Sequence, residues 1–239
     1  MEGSEERKKS RFPFGCALVS LLVLTAVMAI VIPEFHRPHG SSGESSSIGT
    51  LKSICTGLEQ FKSGTCVDLN ANGIGEFGFL EELGGAKPVR TMSKDGKTVT
   101  SEGAIFAQSP YIPMVLGKTA SFSHGTQFRA TKGGYHFILY LPTGKKSATS
   151  THGSGVDVDL AEQCFIAYAW PVEAGRSGVR AFVIDPLGQP YSMANTGPNP
   201  YSGDNAPPWD AALKESSWDS YIDDGGKGQA GKENWTPTG

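Results

Sequence analysis

FGCALVSLLVLTAVMAIVI, residues 14–32, is a run of nineteen residues without a formal charge. Arg7, Lys8, Lys9 and Arg11 precede it, and Pro33, Glu34, His36 and Arg37 follow. About twenty apolar residues in a helix match the roughly 30 Å hydrocarbon core of a bilayer. A helix buried in a protein interior is also apolar all round, but a position at the N-terminus behind a basic cluster favours the membrane. Basic residues before the run and few after it place the N-terminus in the cytoplasm. The expectation is a single-pass protein of the inner (cytoplasmic) membrane, with its domain in the periplasm or outside and membrane lipid as its first partner. Val27-Met28-Ala29 offers a small-residue cleavage site, but the apolar run continues through Ile30, Val31 and Ile32, which favours a retained anchor.

Working outward, the chain divides into a basic leader (residues 1–13), a transmembrane anchor (14–33), a linker or helix continuation (34–47), an α+β domain (48–222) and a flexible tail (223–239). Beyond residue 11 the chain carries 17 basic against 21 acidic side chains. That balance lacks the basic footprint of a nucleic-acid partner. Cys16 lies in the apolar run, and Cys55, Cys66 and Cys164 would meet an oxidising compartment. Cys55 and Cys66 are near enough in sequence to bridge a helix end to the loop after it. Alternatively, Cys55 and Cys164 are buried as small apolar residues.

Ile48, Leu51, Ile54, Cys55, Leu58 and Phe61 recur at spacings of three and four, which predicts a helix with one apolar stripe. Ser41 followed by Glu44 fits a capping box, with Ser45 to Ser47 as rival caps. Such a stripe needs a surface to cover it, and the second half of the chain supplies candidate strands. They are the runs 134–142, 164–170, 179–184 and 189–193, joined by turns. Short connections between neighbours predict an antiparallel meander. The expected fold class is therefore α+β: an N-terminal transmembrane helix, then a helix packed on a small antiparallel sheet.

Residues 68–76, DLNANGIGE, are the most patterned stretch outside the apolar run. Asp68, Asn70, Asn72 and Glu76 stand at positions 1, 3, 5 and 9 of a calcium-loop template, with Gly73 at 6 and the Ile74 carbonyl at 7. Position 12 is Phe79 where the template closes with a bidentate acid. Two readings stand: a calcium site, or a hydrogen-bonded turn rich in Asn and Gly. No other cofactor is implied. The histidines (His36, His39, His124, His136 and His152) show no metal spacing, Ser154 lacks the strand-to-helix setting of a nucleophile, and no phosphate-binding glycine motif is present. Asp157 and Asp159 form a carboxylate pair that solvent alone would explain. The chain does not read as an enzyme.

The layout resembles type IV pilins and the pseudopilins of type II secretion. Arg11 to Gly15, followed by Cys16, looks like a leader ending in the glycine after which prepilin peptidase cuts, making Gly15 and Cys16 the processing site. Ile32-Pro33 resembles the end of the membrane-embedded half of the pilin helix, and residues 48–61 the half that lies on the sheet. Residues 75–83 and 167–175 look like those of a pilin-like group from planctomycete-type bacteria. Ser20 stands where pilins carry an assembly glutamate. The resemblance implies a non-enzymatic structural protein, membrane-anchored, in a secretion or filament assembly. Its partners would be other pilin-like subunits, met through the N-terminal helix. The alternative is a monomeric, membrane-anchored, extracytoplasmic binding module.

Overall fold

The computed structural model describes residues 40–92, 99–100, 105–122, 127–153, 155–220, 222 and 233–238. The leader, the expected span at 14–33, and with them Gly15, Cys16 and Ser20, lie outside the described residues.

The first described element is a helix, α1 (Gly40–Ser63). It starts eight residues before the boundary expected for the domain. Its apolar stripe buries Leu51, Ile54, Cys55, Leu58 and Phe61. Two short helices follow in the first half, α2 (Leu80–Leu83) and α3 (Met114–Gly117), with two short strands between them, β1 (Thr91–Met92) and β2 (Val99–Thr100). The main sheet collects β3 (Ala120–Ser121), β4 (Phe128–Lys132), β5 (Tyr135–Gly144), β6 (Ser147–Thr149), β7 (Ile166–Pro171), β8 (Ala181–Ile184) and β9 (Tyr191–Met193). Helix α4 (Val158–Ala161) lies between β6 and β7 in sequence. After β9 come β10 (Glu233–Asn234) and β11 (Thr236–Pro237).

The sheet is eight-stranded and open, in the order β11-β9-β8-β7-β5-β4-β3, with β6 paired to β5. All its pairings are antiparallel. Side chains alternate between faces with a period of two. Tyr135, Phe137, Leu139 and Leu141 of β5, Ala167 and Ala169 of β7, and Phe182 and Ile184 of β8 face α1. Ile138, Tyr140, Ile166, Tyr168, Trp170, Ala181 and Val183 face the other way. There they meet a second core built from Ala211, Ala212, Leu213, Trp218, Ile222 and Trp235. A central strand buried on both faces cannot alternate apolar with polar, which explains the unbroken run IAYAWP in β7.

Several expectations are corrected here. Among the described residues no helix is long and apolar enough to cross a membrane. The one long described helix, α1, carries Glu44, Lys52, Glu59 and Lys62, so its length is not matched by apolarity. The expected fold, a transmembrane helix followed by a helix on a small sheet, is corrected to this extent: the described residues hold no such span, and the sheet is eight-stranded. The membrane-anchored pilin or pseudopilin role, the membrane-anchored binding module and the single-pass placement in the inner membrane are corrected to the same extent, since no described helix could serve as their anchor. The observed class is an α+β fold on an open sheet with two buried faces. The tail expected to be flexible is corrected at its end. Thr236 and Pro237 pair with Ser192 and Tyr191, and Trp235 is completely buried.

Candidate functional site

The patterned loop sits where α1 hands over to α2. Its oxygens are already engaged with the loop's own donors. The Asp68 carboxylate accepts from the backbone N–H groups of Asn72 (3.1 Å) and Gly73 (3.0 Å). Asn70 Oδ1 accepts from Asn72 N, and Asn72 Oδ1 from Ile74 N at 2.7 Å. The amide Nδ2 groups of Asn70 and Asn72 both donate to Glu162 Oε1, at 2.9 and 2.8 Å, and Asn70 also donates to Asp159 Oδ1. These are linked Asx turns, in which a side-chain oxygen mimics a backbone acceptor.

Glu76 accepts from Leu69 N at 2.8 Å through Oε1 but does not join the Asn-rich turn. Its side chain is fully buried and turns into the core toward Arg90. Among the described residues no group of three or more His, Cys, Asp or Glu side chains is placed to hold a metal ion. In this structure Asp68, Asn70 and Asn72 form a hydrogen-bonded turn that ties residues 68–76 to α4, while the Glu76 side chain faces Arg90. Asp159 and Asp157 do not form a working pair either. Asp157 Oδ1 caps α4 by accepting from Leu160 N.

Behind the loop lies a cluster that the sequence did not announce. Arg90 is completely buried, with Glu76 and Glu82 on either side of it. Its Nε donates to Glu82 Oε1 at 3.1 Å, its Nη1 lies 3.4 Å from Glu76 Oε2, and its Nη2 donates to the Phe77 carbonyl at 2.7 Å. Glu82 is further fixed by the backbone N–H groups of Phe79 and Arg90, each at 2.7 Å. Burial pushes the Glu82 carboxyl up, but Arg90, His152 and the Phe79 N–H outweigh it and hold it below the usual range. His152 Nε2 sits 3.0 Å from the Pro88 carbonyl oxygen and 3.6 Å from Glu82 Oε1. A carbonyl can only accept, so Nε2 carries the proton. The signal for this cluster was present in the acids of 76–82 and in Arg90, but their meeting is a tertiary event.

The expected disulfide is corrected as well: Cys55, Cys66 and Cys164 are free. Cys55 Sγ faces the Asp185 carbonyl, whereas Cys66 Sγ lies 3.2 Å from the Tyr111 hydroxyl. That thiol–phenol pair lines a cleft of about 410 Å³. Gly64, Val89, Ile105, Phe106, Ala107 and Gln108 complete the cleft wall. Ile105 and Phe106 are 60% and 49% exposed, so the mouth is apolar. Of the remaining histidines, His136 packs 5.4 Å from the Trp170 ring, and its Nδ1 meets Thr131 Oγ1 at 2.8 Å. Burial pushes it down to about 4, with the Arg129 charge adding to the effect. It is neutral at pH 7 and packs as part of the sheet. His36, His39, His124 and Ser154 lie outside the described residues.

Comparison with known proteins finds no matching family model, no matching curated protein and no matching solved structure. The resemblance to pilins thus rests on the sequence pattern alone.

Proposed function

We propose that this domain is a non-catalytic binding module whose ligand site is the cleft beside Cys66 and Tyr111. The observation that carries the reading is the cleft's combination of size, rim and floor. Its volume of about 410 Å³ falls within the roughly 300–1,000 Å³ of small-molecule pockets. Ile105 and Phe106 form an exposed apolar rim, while the Tyr111 hydroxyl and the Gln108 amide supply polar groups to orient a ligand. The matching ligand is small and mainly apolar, with one hydrogen-bonding group directed at Tyr111. Among the described lining residues the Cys66 thiol meets the Tyr111 hydroxyl, and the proposal is that this pair helps to bind a ligand.

The test uses 1-anilinonaphthalene-8-sulfonate as a probe with the full chain and with Ala107→Trp, which fills the cleft. One saturable site in the wild type, lost in Ala107→Trp at unchanged far-ultraviolet circular dichroism, supports the proposal. No saturable binding, or equal binding by both proteins, overturns it.

A further inference from the structure

A second pocket opens where β8 ends. Phe182 and Ile184 of β8 face α1, whereas Ala181 and Val183 face the second core. Asp185 comes next, and the period of two puts it on the side of the second core. It lines a pocket of about 160 Å³ together with Cys164, Ile166, Leu187, Leu213 and Trp218. None of these residues lines the cleft at Cys66 and Tyr111. Ile166, Leu213 and Trp218 belong to the second core, and Leu187, 67% exposed, stands in solvent beside them. A thiol such as that of Cys164 packs as a small apolar group. Asp185 is thus a carboxylate in an apolar wall. It is 5% exposed, and its Oδ1 accepts from Leu187 N at 3.0 Å. Among the described residues no Lys, Arg or His pairs with it or lines the pocket. The charges around its neighbours are mostly of its own sign. Glu59 acts with Asp185 on Cys55, and Asp219 acts with it on Cys164, where Lys62 opposes them. Lys62 is engaged elsewhere, its Nζ 4.8 Å over the Phe77 ring.

We propose that this pocket binds a small primary amine in its ammonium form, with the charge against the Asp185 carboxylate and a short apolar body against Leu187, Leu213 and Trp218. A buried charge without a partner is costly, and the ligand supplies the counter-ion that the fold does not. Burial accordingly raises the Asp185 carboxyl above the usual range against the pull of the Leu187 N–H, a penalty that a bound cation reverses. The donor count also fits. An ammonium carries three donors and no acceptor. Gln163, which lines the same pocket, donates its Nε2 to the Asp159 carbonyl, so its Oε1 joins Asp185 as an acceptor. The size limits the ligand. The pocket falls short of the roughly 300–1,000 Å³ of drug-sized sites, so the apolar body is a few carbons long. Leu187 closes over that body, which gives its exposed side chain a role that packing alone does not.

The test titrates 3-methylbutylamine into the full chain at pH 7, with 3-methylbutan-1-ol as its uncharged counterpart, and follows the Trp218 indole N–H resonance. A saturable shift with the amine, and binding of the alcohol weaker by about tenfold or more, supports the proposal. Asp185→Asn keeps the shape of the side chain and the acceptor for Leu187 N while removing the charge. It is expected to weaken the amine by about tenfold or more and to leave the alcohol unchanged. Amine and alcohol bound alike, a Trp218 resonance that the amine does not move, or an Asp185→Asn protein that binds the amine as the wild type does, overturns the proposal. Should Asp185→Asn fail to fold, the comparison of amine with alcohol on the wild type decides alone.

Discussion

Glu44 on α1 holds the backbone of Arg180 at the start of β8, across 136 residues of sequence. Its Oε1 accepts from Val179 N at 3.0 Å and Arg180 N at 3.1 Å, and its Oε2 accepts from Arg180 Nε at 2.8 Å. A glutamate three residues after Ser41 fits a capping box for its own helix, yet here it docks the helix onto the sheet instead. Gly43 lets the two approach, since a Cβ there would stand 3.0 Å from the Ser177 carbonyl oxygen. Burial works to raise the Glu44 carboxyl, and the Arg180 and Val179 N–H groups together with the guanidinium outweigh it.

Glu44→Ala is expected to destabilise the domain by about 1 kcal/mol, because the donors it leaves, on Val179 and Arg180, are part-exposed and can turn to water. The pH dependence follows from the lowered folded pKa. The contribution is present above the ordinary glutamate pKa and is lost as pH falls through the folded value. Urea denaturation of both proteins at pH 7 and in the acid range measures it. Equal stability at pH 7 would show that the contact does not hold the helix down.

How much of this could be read in advance depends on whether a pattern is local. The stripe from Ile48 to Phe61 is a property of one helix, and the apolar runs of β5, β7 and β8 are properties of single strands. Both were visible. The second core was not, because Ala211, Trp218 and Trp235 lie in segments without regular periodicity. Proline, glycine and asparagine dominate there, a composition that also suits a solvated tail. The Arg90 cluster was hidden for a similar reason, since Glu76 satisfied a loop template while its side chain pointed into the core. A template counts oxygens along the chain and is blind to the side they face.

Cys55 offers a test of burial that is independent of folding free energies. Burial, reinforced by the Glu59 and Asp185 carboxylates, pushes its thiol up to about 11. The thiolate is the reactive form, so the native protein is expected to leave Cys55 unlabelled by iodoacetamide at pH 8. Labelling at the same pH in urea is expected to be complete, as read by peptide mass mapping. Native labelling of Cys55 at the unfolded rate would contradict the packing of α1 on the turn at Asp185.

Gly75 marks the closest approach between the patterned loop and α1. A Cβ built on it would lie 2.0 Å from the Lys62 carbonyl oxygen and 2.9 Å from the carbonyl carbon. Both are backbone atoms, so no side chain can swing away. Gly75→Ala is expected to cost at least the upper end of the roughly 1–3 kcal/mol typical of overpacking. Gly73 is the control. Nothing lies within 4 Å of its Cβ position, and its φ of +84° leaves only the strain of a left-handed residue. Thermal denaturation of the two alanine variants compares them, and a Gly75→Ala protein as stable as the wild type would refute the close approach.

Trp235 tests whether the end of the chain belongs to the core. Its ring is completely buried, its Nε1 donates to the Ala211 carbonyl at 3.1 Å, and its centroid lies 5.8 Å from that of Tyr168. Tyr168 in turn donates to the Trp209 carbonyl and accepts from Ala212 N. The indole therefore supports the segment that covers the outer face of the sheet, as well as filling volume. Trp235→Ala is expected to cost about 3–5 kcal/mol, as truncation of a buried aromatic does. Removing residues 233–239 is expected to cost at least as much, because the pairing of Thr236 and Pro237 with β9 goes too. The finer reading is local. With Trp235 gone, amide exchange is expected to accelerate first at Ala211, Ala212 and Leu213, while β5 and β7 stay protected. Exchange that rises uniformly, or a truncated chain as stable as the intact one, would place Trp235 outside the second core.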